Sequence, residues 1–218
     1  MTSLQKWGKS VRTTIPVMAG YLVLGAGFGI LLRTRGYGLG WALAMSAFIY
    51  AGSMQYVAID LLTGGASLLT TAVTTLLVNA RHLFYGISML ERYRAAGRYA
   101  PYLIFSLTDE TYSLVAARED LTGAECFRIS LLDQLYWVLG TALGSLAGAY
   151  LDFNTTGIDF SLTALFLTVF TEQWLETKDH APALIGLGVS IVCRLLFGAD
   201  SFLLPTMGGM LCCLLVLD

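Results

Sequence analysis

The chain has 218 residues, of which 56% are hydrophobic and 13% charged, with a formal net charge of −2 and a mean hydropathy of +0.68. Soluble domains carry about 25% charged residues, so this composition excludes a soluble binding module and gives no ground for a nucleic-acid partner. A helical span needs about 20 residues, which leaves room for about seven or eight segments and none for a separate soluble domain. The expected fold is therefore all-α, a polytopic helical membrane protein forming one domain over residues 1–218 with the lipid bilayer as its solvent. The apolar runs are continuous rather than alternating, which excludes a membrane β-barrel.

In chain order, a basic N-terminus with Lys6, Lys9 and Arg12 precedes segment one, about 13–32, with Pro16 near its start. Segment two, about 39–62, contains Tyr50, Ser53, Gln55 and Asp60, and its small residues Ala51, Gly52 and Ser53 allow close helix approach or a helix break. Segment three, about 66–90, carries VNARHLFYG at 78–86, which joins Asn79, Arg81 and His82 in an otherwise oily stretch. Polar and ionisable groups cost several kcal/mol in hydrocarbon unless paired or hydrated, so they mark function by default. The bland alternative is an interfacial anchor, with Arg81 snorkelling and Tyr85 in the aromatic belt.

A polar loop with Arg92, Arg94 and Arg98 leads to segment four, about 101–117, where Asp109 and Glu110 are adjacent carboxylates in an apolar run. Segment five, about 126–151, has Asp133 near its start and a stripe of Gly140, Gly144 and Gly148. Segments six (about 160–175, with Glu172 and Gln173), seven (about 181–197, with Arg194) and eight (about 202–217, uncharged) complete the chain. The cysteines Cys126, Cys193, Cys212 and Cys213 form no C-x-x-C pair and read as small buried hydrophobes. His180 reads as a solvated loop residue. Neither a metal site nor a cofactor site is expected.

Two halves, approximately 13–90 and 128–200, overlay as an internal repeat. YLVLGAGFGILL resembles YWVLGTALGSLA, which sets Gly25 and Gly29 on Gly140 and Gly144 as matching G-x-x-x-G stripes. FIYAGSMQ lies over FLTVFTEQ and RHLFYG over CRLLFG, so Gln55 pairs with Gln173 and His82 with Arg194. The repeat makes segment one structural rather than a cleaved leader, and duplicated halves are a common build for secondary transporters with a site between them. Both sets of polar residues are then expected to converge on one central cavity. The N-terminal cations put that end in the cytoplasm. Eight full spans would leave Arg92, Arg94 and Arg98 outside, unless an element before Glu91 is broken or re-entrant.

The motifs GAGFG, YAGSMQY, VNARHLFYG and TDETY, in this order, resemble the AzlC family, the large subunits of branched-chain amino acid exporters. The resemblance spans nearly the whole chain. It implies efflux of leucine, isoleucine, valine or similar small amino acids across the inner (plasma) membrane, with a small AzlD-like membrane subunit as partner. It brings no catalytic residue set.

The residues themselves fit a carrier of small zwitterions. Tyr50, Ser53, Gln55, Asn79, Arg81 and His82 are the candidate substrate-binding groups. Asp109 and Glu110 can meet an ammonium or carry a coupling proton, while Phe28, Phe48 and Phe84 are available for an apolar side chain or for ordinary packing. A structural alternative pairs Arg81 with Asp109 or Glu110 only to hold the bundle together. Two other classes stand beside the carrier. An intramembrane enzyme would want a nucleophile with its base or a metal motif, and neither G-x-S-x-G nor H-E-x-x-H is present. A channel would favour uniform pore-lining rings, whereas this chain has two unequal halves. Substrate, coupling ion and direction are not readable from the residues.

Overall fold

The computed structural model describes residues 3–116, 118, 120–150, 160, 167, 170, 171, 174, 175, 178, 180–198, 202, 205, 206, 208–210, 212 and 213. Among these residues all regular structure is helical: α1 (Ser3–Thr34), α2 (Leu39–Phe48), α3 (Gly52–Thr63), α4 (Leu68–Val78), α5 (Arg81–Ala95), a 3-10 turn (Gly97–Tyr99), α6 (Ala100–Phe105), α7 (Asp109–Ala116), α8 (Gly123–Tyr150) and α9 (Ala181–Phe197).

Three of the expected segments are each two helices. Segment two breaks between Phe48 and Gly52, segment three between Val78 and Arg81, and segment four between Phe105 and Asp109. Polarity does not mark such breaks as breaks: Arg81–His82 and Asp109–Glu110 follow two of them, and charge in an apolar run reads equally as a site within one continuous span. Segment one begins earlier than expected: the polar N-terminus is already helical, with Ser10 and Thr14 hydroxyls donating to the carbonyls of Lys6 and Ser10. Pro16 therefore lies inside α1 rather than near its start. Segment seven coincides with α9. Segments six and eight fall mostly outside the described residues. Two smaller expectations change as well: Cys212 is exposed, and His180 stacks on Trp174 with ring centroids 4.0 Å apart.

The frame is the packing of α1 against α8. Their glycine stripes meet backbone to backbone. A Cβ on Gly25 would stand 2.9 Å from the Trp137 carbonyl oxygen, and one on Gly140 would stand 2.8 Å from the carbonyl oxygens of Tyr21 and Leu22. Gly29 and Gly144 sit closer still, against the carbonyl oxygens of Thr141 and Ala26. Small residues allow this approach, and van der Waals contact along the seam then holds the pair. Tyr21, Phe28, Leu32, Met45, Tyr56 and Trp137 pack around the seam as one buried cluster. Met89, Tyr93, Leu103, Val115 and Ile129 form a second, where α5–α7 meet α8.

A polar network ties α2 and α3 to the frame. Trp137 Nε1–H donates to Gln55 Oε1 (2.9 Å), Gln55 Nε2–H donates to Ser46 Oγ (3.1 Å), and Ser46 Oγ–H donates to Thr141 Oγ1 (2.9 Å). Gln55, Ser46 and Thr141 are fully buried. Apolar side chains, by contrast, face outward: Leu68 is 90% exposed, Leu195 80% and Phe48 81%. Polar groups inside and leucines outside suit a hydrocarbon surrounding, where backbone and side-chain polar groups must be satisfied internally. One helix among the described residues, Leu4–Thr34, is long and apolar enough to cross a membrane.

The seam generates a stability prediction. Gly25→Leu and Gly140→Leu must separate two backbones, so each should lower stability by about 1–3 kcal/mol or more, as overpacking does. Folded yield and thermal unfolding in detergent should fall for both, while surviving protein binds ligand as before. Normal yield with lost binding would instead move these glycines into the site.

Candidate functional site

The three helix breaks converge. Tyr50, Ala51, Gly52 and Ser53 from the first, Arg81 and His82 from the second, and Thr108, Asp109 and Glu110 from the third line one polar cavity of about 40 Å³, with Tyr21, Leu24 and Trp137 closing it from the frame. The helices that start there, α3, α5 and α7, turn their N-terminal ends toward it. Free N–H groups and the helix dipole favour negative charge at such ends. At the first break Tyr50 adopts a φ of 44°. The left-handed region is strained for an aromatic residue by about 1–3 kcal/mol and persists only where the surroundings impose it. Tyr50 is buried, and its hydroxyl completes no hydrogen bond.

An ion pair spans the cavity. Arg81 Nη1 lies 2.7 Å from Asp109 Oδ2, and Arg81 Nη2–H donates to Ser53 Oγ at 2.7 Å. The pair is incomplete. Among the described residues Arg81 Nε–H and Asp109 Oδ1 are both buried and without hydrogen-bond partners. A buried orphan of this kind costs about 1–3 kcal/mol, so the ion pair leaves one donor and one acceptor unpaired. Glu110 is held differently: its carboxylate accepts from the Tyr21 hydroxyl at 2.7 Å. His82 Nδ1 lies 3.2 Å from the Asn79 carbonyl, and its ring meets Tyr85 edge-on.

A second, larger and mainly apolar cavity of about 550 Å³ adjoins the first at His82 and is lined by Leu76, Leu83, Leu90, Ile104 and Leu107. Asn79 faces this one, and its Oδ1 is buried without a partner.

Of the residues the sequence singles out, Tyr50, Ser53, Arg81, His82, Asp109 and Glu110 are gathered at the polar cavity. Gln55 is not; its amide is committed to Trp137 and Ser46. Phe28 packs in the core against Tyr56 and Trp137, while Phe48 and Phe84 face outward. Arg194 lies over the Phe202 ring, its guanidinium carbon 5.1 Å from the centroid, and Gln173 lies outside the described residues. Among the described residues the polar cavity is lined from α1, from the three breaks with the starts of α3, α5 and α7, and from α8. The sequence reading missed Tyr21, Leu24, Thr108 and Trp137 as members of the site. The signal for the α8 members was its buried face, where Asp133, Trp137 and Thr141 recur at helical spacing. Among the described residues no three His, Cys, Asp or Glu side chains come together as a metal site would need.

Comparison with known proteins places these residues in a family context. The family model described as "AzlC protein" matches residues 16–151, which hold all three breaks and the frame. The chain is 46% identical over 209 residues to the "Branched-chain amino acid transport protein AzlC" of Bacillus subtilis (strain 168), covering 94% of this chain and 82% of that one. It is 44% identical to an "Uncharacterized membrane protein" of Helicobacter pylori (strain ATCC 700392 / 26695), covering 88% and 86%. It is 26% identical to "Inner membrane protein YgaZ" of Escherichia coli (strain K12), covering 80% and 77%. No solved structure matches it.

The ion pair can be tested by itself. Arg81→Gln and Asp109→Asn should each leave one charge uncompensated. Both side chains are about one-third exposed, so solvent screens part of the loss and each change should cost about 1–3 kcal/mol. The double variant removes both charges and should recover part of that loss in detergent unfolding. A double variant no better than the sum of the singles would mean that the two groups are uncoupled.

Proposed function

Because the chain belongs to the AzlC protein family, we propose that it is a secondary transporter that exports branched-chain or similar small amino acids across the inner (plasma) membrane. On this reading it is multi-pass, is built on an internal repeat, and works as the large subunit beside a small AzlD-like membrane protein. The 46% identity to a protein named for branched-chain amino acid transport supports the substrate class.

The observation that carries the reading is the unpaired donor and acceptor at the break point. An α-amino acid presents a carboxylate and an ammonium a few bonds apart. Arg81 Nε–H, with the N-terminal ends of α3 and α5, meets the carboxylate; Asp109 Oδ1 meets the ammonium. Ser53 keeps the guanidinium in place, and Tyr50 and His82 border the head group. The apolar cavity beyond His82 takes the branched side chain, with Asn79 at its polar edge. Discontinuous helices that aim their N-termini at an anionic substrate group are a recurring device of secondary transporters.

At about 40 Å³ the polar cavity is far below the roughly 300–1,000 Å³ of ligand pockets. It holds the charged end of an amino acid and not the whole, so transport requires the breaks to move. Proton coupling belongs to Glu110 on this reading: Asp109 already has Arg81 as its counter-charge, whereas Glu110 has a neutral phenol. A catalytic reading has less to stand on. Among the described residues the cavity hydroxyls of Tyr21, Ser53 and Thr108 bond to Arg81, to other hydroxyls or to a carboxylate, that of Tyr50 is unpaired, and none bonds to His82 as a nucleophile would to its base.

The test is counterflow in proteoliposomes loaded with unlabelled amino acids, with and without the small subunit. Labelled leucine, isoleucine or valine should accumulate only when both subunits are present, and Arg81→Lys should weaken apparent affinity at least tenfold, because an ammonium cannot make the guanidinium's three directed contacts. Linear, non-saturating flux without counterflow would point to a channel and overturn the carrier. Strong transport by this chain alone would overturn the need for the partner.

A further inference from the structure

A line of hydroxyls runs from the polar cavity to a carboxyl group behind it. Tyr21 Oη lies 2.7 Å from Glu110 Oε2 and 2.6 Å from Thr108 Oγ1. Thr108 Oγ1 lies 3.1 Å from Thr111 Oγ1, which lies 2.9 Å from Asp133 Oδ2. Tyr21, Thr108, Thr111 and Asp133 are buried, the last two completely. The line crosses from α1 through the third helix break and α7 to α8. Asp133 Oδ1 is buried without a partner, and among the described residues no cation pairs with Asp133.

The hydrogens can be counted. Four oxygen–oxygen links join the two carboxyl groups, and each of the three hydroxyls has one hydrogen to give. The Thr111 N–H also reaches Thr108 Oγ1, at 3.3 Å, but adds nothing to these four links. If both carboxyl groups are ionised, they only accept, three hydrogens serve four links, and one link is lone pair against lone pair at buried distance. One extra proton on either carboxyl group completes the set. It also removes one negative charge from a region where Asp109, Glu110 and Asp133 stand against Arg81.

We propose that Glu110 and Asp133 share a single proton along Tyr21–Thr108–Thr111, so that Asp133 is a second proton site behind the cavity. With the proton on Asp133, every hydroxyl points toward Glu110; with it on Glu110, every hydroxyl points toward Asp133. The transfer from Asp133 to Glu110 breaks the O–H bonds of Asp133, Thr111, Thr108 and Tyr21 and forms those of Thr111, Thr108, Tyr21 and Glu110. Four bonds break, four form, and the negative charge passes from Glu110 to Asp133. The titratable groups facing the line are Arg81, His82, Asp109 and Tyr50 on the cavity side, Tyr50 also neighbouring Asp133, and Tyr102 on the Asp133 side. The use of this proton in transport rests on the reading proposed above; its existence does not.

The test is infrared spectroscopy of the intact chain in lipid nanodiscs at neutral pH without substrate. A protonated-carboxyl C=O band is expected in the wild type. It should vanish in Asp133→Asn and equally in Glu110→Gln, because an amide N–H at either end supplies the missing hydrogen. It should persist in Asp109→Asn. No band in the wild type, or a band that survives either end variant, overturns the shared proton. If an end variant does not fold, Thr111→Val alone asks the same question. The line is then cut, so the wild-type band should change in frequency or be lost; a band unchanged in Thr111→Val overturns the proposal. Transport driven by an imposed pH gradient is read separately. The expected band behaviour without gradient-driven transport leaves the proton line standing and removes the coupling. Gradient-driven transport without the band removes the line and leaves the coupling.

Discussion

The backbone contact between α1 and α8 is the constraint on which the site depends. With glycines at the crossing, each helix uses the other's main chain as its packing surface, and such a contact leaves almost no freedom in register. That register places the functional groups. Tyr21 lies one turn before Gly25 and Trp137 just before Gly140, so both reach the cavity from beside the seam. Asp133 lies one turn further back along the same face of α8. A seam of leucines would hold two helices with more area, but it would separate Tyr21 from Trp137, whose ring centroids stand 5.4 Å apart.

Against this rigid pair the chain places helices that do not run through. Each break frees backbone carbonyls and N–H groups that a bilayer cannot satisfy, and the side chains that answer them come from other elements. Gln134 Nε2–H, from α8, donates to the Ala47 carbonyl near the end of α2. The Tyr56 hydroxyl, from α3, donates to the Leu24 carbonyl of the unbroken α1 and so ties the helix after the first break to the frame. The Arg92 guanidinium donates to the carbonyls of Val115 and Arg118, where α7 ends. Arg92 was conspicuous in the sequence as a loop charge that bears on orientation; its contacts show a cation that also closes a helix terminus. The broken helices are therefore tied by directed bonds, which can be exchanged, rather than by the interlocked backbone of the seam.

The sequence disclosed the parts of this arrangement that depend on composition. The two G-x-x-x-G stripes, α9 and the cost of Arg81, His82, Asp109 and Glu110 in an oily chain could all be read from residue type and spacing. The breaks were less visible. Ala51–Gly52–Ser53 hinted at one, but at Asn79–Ala80 and Ser106–Thr108 the neighbouring charges read as site residues within a span and not as the ends of helices. Gln55 shows the opposite difficulty: a lone amide in an apolar helix reads as a ligand group, and only its geometry against Trp137 and Ser46 shows that both ends are satisfied within the fold. Thr108 and Thr111 were invisible as site residues because threonine is common in such helices, and its significance depends on which hydroxyl stands next to it.

The small polar cavity and the incomplete ion pair are two aspects of one problem. A carrier must avoid leaving an open polar path when empty, and must open for a substrate whose charged end costs several kcal/mol to desolvate. On the proposed reading Arg81 and Asp109 meet the first need by closing on each other across the point where the three breaks meet. They meet the second, on the proposed reading, because a zwitterion offers the same two charges in reverse: its carboxylate replaces Asp109 at the guanidinium, and its ammonium replaces Arg81 at the carboxylate. The exchange conserves the number of opposite-charge contacts, so the pair need not be broken at full cost. On that reading the unpaired Arg81 Nε–H and Asp109 Oδ1 offer the substrate two contacts, once the breaks move, that cost no existing hydrogen bond. An equilibrium between closed and open breaks can then be shifted by the substrate alone, to the extent that its two charges bind the open arrangement better than the closed one.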